Sequence, residues 1–380
     1  MATPQTSPME RVYALTNARD GNAVVVFVRQ ASGSLVPLTA NPSAPFAADA
    51  TVRPLPAFPT GGLGVGGPLI SQSALTLSDD GRFLFAVNPG SNDVSSFLVT
   101  PSGLHFASRV SSGGVLPVSV TTFGNLVYVV NAVGSLAAPI TPGLDGEGRG
   151  QIAGFTVGLN GVLTPIEGSS RALSSPNSAP AQIAFNADGT LLVVTELAAN
   201  RITVFQVEED GRPGDVVENP SAGRAPFGFA FNSRGVLIVS EAGTPPNSNS
   251  SVSSYEVGTT GKLAVISGPV PTNQIAACWI INTSDARFSY ASNTGSGSIS
   301  GFSVNSTGKL IRLDADGRTG VTGDFALPID MVISGNGRYL DVLAQGAQTI
   351  TTFRIEGNGS LTLLSSVGNL PPLAVGLAVG

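Results

Sequence analysis

One pattern recurs along this 380-residue chain at a period of about 40 to 50 residues, which restricts the fold to an array of one repeated supersecondary unit. The clearest copies are SALTLSDDGRFLFAVNPGSNDVSSFLVTPSG over residues 73–103 and AQIAFNADGTLLVVTELAANRITVFQVEEDG over residues 181–211. They match at two apolar runs, at the Asp-Gly turn between them, and in a third run. Weaker copies begin at Val118 (VSVTTFGNLVYVVNAVG), Phe227 (FGFAFNSRGVLIVSEAG), Ala277 (ACWIINTSDARFSYASNTG) and Ile329 (IDMVISGNGRYLDVLAQG). A fourth run built on Gly-x-Leu completes the unit, as in the stretches beginning at Ser251 and Ser298. Short apolar runs separated by turn residues predict a four-stranded antiparallel meander, the size and content of a propeller blade.

The two ends of the chain supply the closure. The N-terminus offers VYALTN, AVVVFVRQASG and SLVPLTA, which are second, third and fourth strands without a first. The C-terminus ends on PLAVGLAVG, a first strand with nothing after it. Pairing Leu373–Val379 beside Val12–Thr16 completes a seventh blade and leaves no free sheet edge. An open solenoid or two sandwiches would not explain why the strand missing at one end is surplus at the other. The expectation is an all-β, seven-bladed propeller occupying 1–380 as one domain, with 1–11 a flexible N-terminus.

Composition agrees and removes several chemistries. With 47 Gly, 27 Pro and only 12% charged residues, the chain is poor in helix formers and rich in turn formers. A net charge of −6 supplies no basic stripe for a phosphate backbone, so nucleic acid is not an expected partner. One Cys (Cys278) and one His (His105) exclude a disulfide within the chain and a Cys/His zinc site. No apolar run approaches the roughly 20 residues that span a bilayer, and MATPQTSPME has no signal-peptide pattern, so no membrane is expected as a partner. The compartment is left open.

In such a meander the links from first to second and from third to fourth strands share one face. There the turns are short, as at Asp80-Gly81, Asp188-Gly189, Asn336-Gly337, Asn160-Gly161 and Asn358-Gly359, so this face reads as scaffold. The opposite face carries long insertions at 41–72, 131–151, 241–251 and 314–328, which makes it the expected functional face.

Candidate site residues follow from that geometry. Asn17, Asn88, Asn131, Thr195, Ser240 and Asn293 recur at the ends of the second strands, with side-chain to backbone turn bonding as their ordinary role and Asn131 as a possible substrate contact. One step further, Glu196 and Glu241 stand where other blades carry Ala18, Pro89, Ala132, Thr294 and Gln345. Two carboxylates at one channel mouth would repel and raise one pKa, as a general base requires; the alternative is two solvated acids bonded to Arg201 or Arg224. Counting back from the turns places Gln182, Gly228, Trp279 and Asp330 in register on the first strands that line the channel. Trp279 is either an apolar wall for a ligand or blade packing, and Asp330 faces either the channel or neighbouring backbone N–H groups. Cys278 reads as a small buried residue, and His105 lies on an outer strand at the scaffold face, away from the channel.

The repeats SDDGRFLFAVN, NADGTLLVVTEL and SGNGRYLDVL resemble those of the seven-bladed propeller lactonases, the family of propeller-type 6-phosphogluconolactonases and of fungal 3-carboxy-cis,cis-muconate lactonising enzymes. The resemblance runs from Val12 to the closing strand. It implies a propeller and lactone chemistry, and it supports Glu196, because the family tends to show Asn-Glu-Leu where this chain has Thr195-Glu196-Leu197. The family's Arg-His pair at the start of that blade is replaced by Pro180 and Ala181, so a neutral or weakly charged lactone is expected in place of a polyanion.

The leading expectation is therefore a lactonase-like hydrolase working at the channel mouth. In it Glu196 and Glu241 position or deprotonate water, Arg224 and Gln182 stabilise the oxyanion, and Trp279, Asp330 and Asn131 contact substrate. No cofactor is expected; Ca²⁺ or Mg²⁺ on Glu196, Glu241 and Asp330 is the alternative. The expected partner is a small molecule, and the expected assembly a monomer. The competing expectations are a non-catalytic propeller that binds a small molecule or protein through 41–72 and 131–151, and a cyclase or isomerase using the same carboxylate without water.

Overall fold

In the computed structural model, which describes residues 9–38, 55–132, 149–244 and 250–380, the chain forms seven antiparallel sheets in a ring, each built on four strands. The first blade is closed as its two half-units require: Val375–Val379 pairs with Arg11–Leu15, which pairs in turn with Ala23–Arg29. Circular closure hydrogen-bonds the inner edge of the N-terminal blade with the C-terminal strand.

Second strands such as Phe83–Asn88 and Leu191–Glu196 are buried along their whole length, because each lies mid-blade with a neighbouring blade on both faces. That is why they read as unbroken apolar runs and do not alternate. Outer strands such as Leu361–Val367 are largely exposed. The scaffold-face turns carry glycine where a left-handed residue is needed, as at Gly81 (φ 70°) and Gly189 (φ 73°).

Three outer strands are split. In the first, third and sixth blades a short outer strand is followed by a second piece, Ala57–Pro59, Arg171–Pro176 and Gly320–Val321, that pairs with the other end of the same third strand. The 41–72 stretch, expected as one long loop, therefore contributes strand to the first blade, and its 41–54 part lies, with 39 and 40, outside the described residues. The 131–151 insertion also ends earlier than expected, since Arg149–Val157 is the third strand of its blade, and 133–148 lies outside the described residues. Residues 245–249 of the 241–251 insertion and 1–8 of the N-terminus are likewise outside them. Glu10 and Arg11, expected in a flexible tail, are placed: Arg11 opens the second strand of the first blade and Glu10 ion-pairs with Arg29.

The ring seam is pinned by charge. Arg29 of the first blade bonds both Glu10 and Asp341 of the seventh, and its guanidinium lies over the Tyr339 ring. Burial pushes the Asp341 carboxyl up, against the opposing pull of Arg29.

Candidate functional site

The site begins with the rim. Immediately before five of the seven first strands, and two residues before the other two, stands a non-glycine residue in the left-handed region: Leu116, Ala179, Ala225, Ala276 and Leu327, and Ser73 and Leu373, with φ from 48° to 66°. In five blades its carbonyl accepts the N–H of the residue after the second strand, as for Ala132 to Leu116 (2.9 Å) and Ala242 to Ala225 (2.9 Å). The first strand then starts with a bulge, which re-aims the side chains that follow toward the channel. The available sequence signal was the proline that follows in four blades, Pro117, Pro180, Pro226 and Pro328.

Strand register corrects the placement of the two glutamates. Glu196 pairs with Pro180 and Arg201, Glu241 with Pro226 and Ser251, and Asn293 with Ala277 and Ser298. Asn131 likewise pairs with Pro117. Glu196 and Glu241 therefore occupy the same position as Asn88, Asn131 and Asn293, not the next one, and Thr195 and Ser240 lie one step earlier. The error came from aligning the strand ends on the polar residues themselves, when the blade aligns on its turns.

That shared position is a buried polar clasp. Glu196 is fully buried and accepts from the Ser174 N–H (3.2 Å), the Ser174 hydroxyl (2.6 Å) and the Thr203 hydroxyl. Glu241 is equally buried and accepts from the Gly223 N–H (2.9 Å) and the Ser251 hydroxyl. Asn88 donates to Ser95 (2.8 Å) and accepts from Thr60 (2.7 Å), while Asn131 donates to the Ser112 carbonyl (3.0 Å). In each case the second strand's last side chain grips the segment arriving from the previous blade. Burial pushes the Glu241 carboxyl up, against the hydroxyls of Ser251, Ser253 and Ser221 and the Gly223 N–H. Although Arg201 is the cross-strand neighbour of Glu196, its guanidinium forms its ion pair with Glu218 (3.5 Å). Arg224 is exposed on the segment that Glu241 holds through Gly223, next to the rim residue Ala225.

The first-strand residues are brought together as counted. Pro117, Pro180, Pro226, Ala277 and Pro328 pair at equivalent second-strand positions, so Ser119, Gln182, Gly228, Trp279 and Asp330 stand at one level of the channel wall. Gln182 accepts the Phe229 N–H of the next blade (2.7 Å). Trp279 packs on Phe227 with ring centroids 4.8 Å apart, which is blade packing, and its indole N–H reaches the Ser71 carbonyl (2.9 Å). Asp330 accepts the Gly376 N–H (2.7 Å) and the Ser73 N–H, so its carboxylate bonds neighbouring backbone. Burial lifts its pKa from 3.8 to about 7. It is also the only charged residue on the seven first strands.

Sequence reasoning missed the segment that crosses this level. Ser71 donates to the Val118 carbonyl (2.8 Å), the Gln72 N–H to the Ala181 carbonyl (2.9 Å), and the Gln72 side chain bonds the backbone of Ile280. One short segment thus touches the first strands of the third, fourth and sixth blades, and a Cβ built on Gly228 of the fifth would fall on Gln72 Oε1. Only a segment lying across the ring axis can do this. A loop carries no periodicity, so no local pattern announces such a crossing.

His105 is exposed on an outer strand, and burial pushes the Cys278 thiol up to about 12. Among the described residues, no three His, Cys, Asp or Glu side chains lie close enough together to hold a metal ion.

Solved structures similar to this chain share its fold. A Bacteroides fragilis protein provisionally assigned as a 6-phosphogluconolactonase is 21% identical, with a TM-score of 0.71 and 100% of both chains covered. A Bacteroides uniformis protein with the same provisional assignment is 20% identical, with a TM-score of 0.71 over 98% of this chain and 99% of that one. A Pseudomonas aeruginosa protein described as a periplasmic gluconolactonase is 20% identical, with a TM-score of 0.70 over 97% and 99%. No curated protein matches the sequence. The family model for the seven-bladed β-propeller lactonases matches residues 160–280 and 269–372, more than half of the chain, and with the ring of seven blades it shows that the chain belongs to that family.

Proposed function

We propose that the protein is a lactonase-type hydrolase that opens a small, neutral or weakly charged lactone at the long-insertion face of the ring, with Asp330 as the proton-transferring group. The observation that carries this reading is Asp330 itself: the lone charge on the channel-lining strands, with its pKa lifted by burial to about 7, where a carboxyl both takes and returns a proton at neutral pH. Family membership supports the reaction class.

In this reading water adds to the lactone carbonyl carbon as Asp330 takes its proton, and the oxyanion that develops is met by the exposed guanidinium of Arg224. Collapse breaks the ring C–O bond, and the proton held by Asp330 passes to the departing alkoxide. The product is a hydroxy acid, heavier than the substrate by one water. Glu196 and Glu241 then act as positioning residues, since their carboxylates hold the segments that lead into the fourth and fifth blades.

A weakly charged substrate with an apolar body suits the segments leading to the first strands, where Ile275 (52% exposed), Leu327 (40%) and Phe325 (91%) stand in solvent. Pro180 and Ala181 supply no cation for a phosphate.

The experiment is a lactone panel assayed with wild type, Asp330→Asn, Arg224→Gln and Glu196→Gln, each with and without EDTA and with added Ca²⁺. The reading expects a fall in kcat for Asp330→Asn, retention of activity in EDTA, and a wild-type kcat/KM that rises with pH through about 7, because the base must be ionised. Loss of turnover in folded Glu196→Gln with Asp330→Asn unaffected would move the base to Glu196. EDTA sensitivity would replace the metal-free mechanism, and no turnover of any lactone would defeat the hydrolase reading.

A further inference from the structure

At the level of Ser119, Gln182, Gly228, Trp279 and Asp330 the blades are stitched by side chains. Ser119 of the third blade accepts the Ile183 N–H of the fourth (3.2 Å), and Gln182 of the fourth accepts the Phe229 N–H of the fifth (2.7 Å). The next stitch should come from residue 228, and residue 228 is glycine. The Ile280 N–H of the sixth blade would there be left without a side-chain acceptor, a costly state for a buried donor.

Gln72 fills that gap from another part of the chain. Its Oε1 accepts the Ile280 N–H (3.1 Å) and its Nε2 donates to the Ile280 carbonyl (3.0 Å), so one planar carboxamide satisfies both inward-facing groups of a single residue. The missing Cβ of Gly228 makes the room, since a methyl there would collide with Gln72 Oε1 and with the Cys278 carbonyl. The arrangement is a slot: an N–H and a C=O side by side on a strand edge, a glycine floor, and a neutral planar occupant that is only half buried.

We propose that this slot is a ligand subsite for a cis-amide edge, as presented by a lactam or a primary carboxamide, that the Gln72 carboxamide is its resident occupant, and that a ligand displaces this side chain. The chemical class follows from the pairing. The occupant must offer an acceptor and a donor about one carboxamide width apart in a single plane, and must carry no charge, because no counter-charge bonds Ile280. A lactam presents its C=O and N–H on one edge as a glutamine carboxamide does. A lactone presents the acceptor alone. The segment backbone is held independently by Ser71 to Val118, Trp279 to Ser71, the Gln72 N–H to Ala181, the Val120 N–H to Ser73 and the Ser73 N–H to Asp330, so the ligand has to replace only the two Gln72 side-chain contacts while the backbone stays in place.

The test is chemical rescue in the full chain, and it does not depend on hydrolysis. Gln72→Ala should lower the thermal midpoint, and 2-pyrrolidinone or propionamide should raise it again. A fragment of that size binds in the millimolar range, so the probe is titrated to about 100 mM. N-methyl-2-pyrrolidinone, which lacks the N–H, should not rescue, and γ-butyrolactone should rescue less than the lactam. In parallel, the Ile280 amide resonance of wild type and of Gln72→Ala should shift on titration with 2-pyrrolidinone, with half-saturation at lower probe concentration in the variant because the resident amide is gone. Equal rescue by the N-methyl compound would overturn the proposal, and so would an Ile280 resonance unmoved by the lactam in a folded variant. If Gln72→Ala does not fold, Gln72→Glu keeps the volume but brings a carboxylate toward the Ile280 carbonyl; its stability should then fall as pH rises through the carboxyl's pKa, and no such pH dependence would also overturn the assignment.

Discussion

Asp330 makes a quantitative test possible. Its carboxyl is buried, and its pKa stands at about 7 against an ordinary 3.8. Between those values the folded protein holds a proton that the unfolded chain has released, so ν for the native state exceeds that of the unfolded state and stability falls as pH rises. The contribution is fully present below the unfolded pKa and is lost as pH rises through about 7. A shift of roughly three units at 1.36 kcal/mol each is about 4 kcal/mol between pH 4 and pH 9. Asp330→Asn keeps the shape and an acceptor for the Gly376 N–H and has no proton to lose. The variant should therefore match wild type near pH 4 and exceed it by about 4 kcal/mol at pH 9; at ~2.1 cal/mol/K per residue, for a chain of this length, that is a rise in Tm of about 5 °C. Subtracting the two pH profiles removes Glu241 and Asp341, which titrate alike in both proteins. Differential scanning calorimetry across pH 4 to 9 reads the difference directly. A difference that stays flat, or that favours wild type at high pH, refutes the burial argument for Asp330.

Gly228→Ala should destabilise by about 1 to 3 kcal/mol, because the new methyl meets the Gln72 carboxamide and the Cys278 carbonyl, and denaturant titration should show part of that loss relieved in a Gln72→Ala background. Arg29→Met should cost about 3 to 5 kcal/mol, since it leaves Asp341 buried without its cation, and adding Asp341→Leu should recover most of it by equilibrium unfolding. Glu241→Ala should cost about 1 to 3 kcal/mol by leaving the Gly223 N–H and the Ser251 hydroxyl unpaired, while Glu241→Gln costs less; on the hydrolase reading the alanine variant also lowers kcat more than it raises KM, through release of the segment carrying Arg224, which meets the oxyanion.

The ring and its closure were legible in the chain because they rest on local chemistry repeated many times. Apolar runs such as FLFAV and LLVVT, Asp-Gly turns, and a surplus strand at one end matching a deficit at the other leave little choice of architecture. Counting from those turns also placed Gln182, Gly228, Trp279 and Asp330 at a common level, since antiparallel pairing transmits register along a hairpin. The slip of one residue at Glu196 and Glu241 arose where the strand ends were aligned on the polar residues Thr195 and Ser240 in place of the turns.

What tertiary structure alone decided is who meets whom across blades. That Glu196 and Glu241 spend their carboxylates on Ser174 and on Gly223, that Asp330 binds Gly376, and that Gln72 enters the gap at Gly228 all involve partners from different blades or from the segments between them. Periodicity reports the face and turn of a residue within its own unit. The contact between units depends on the ring closing first, and so does the burial that sets the Asp330 carboxyl near neutrality.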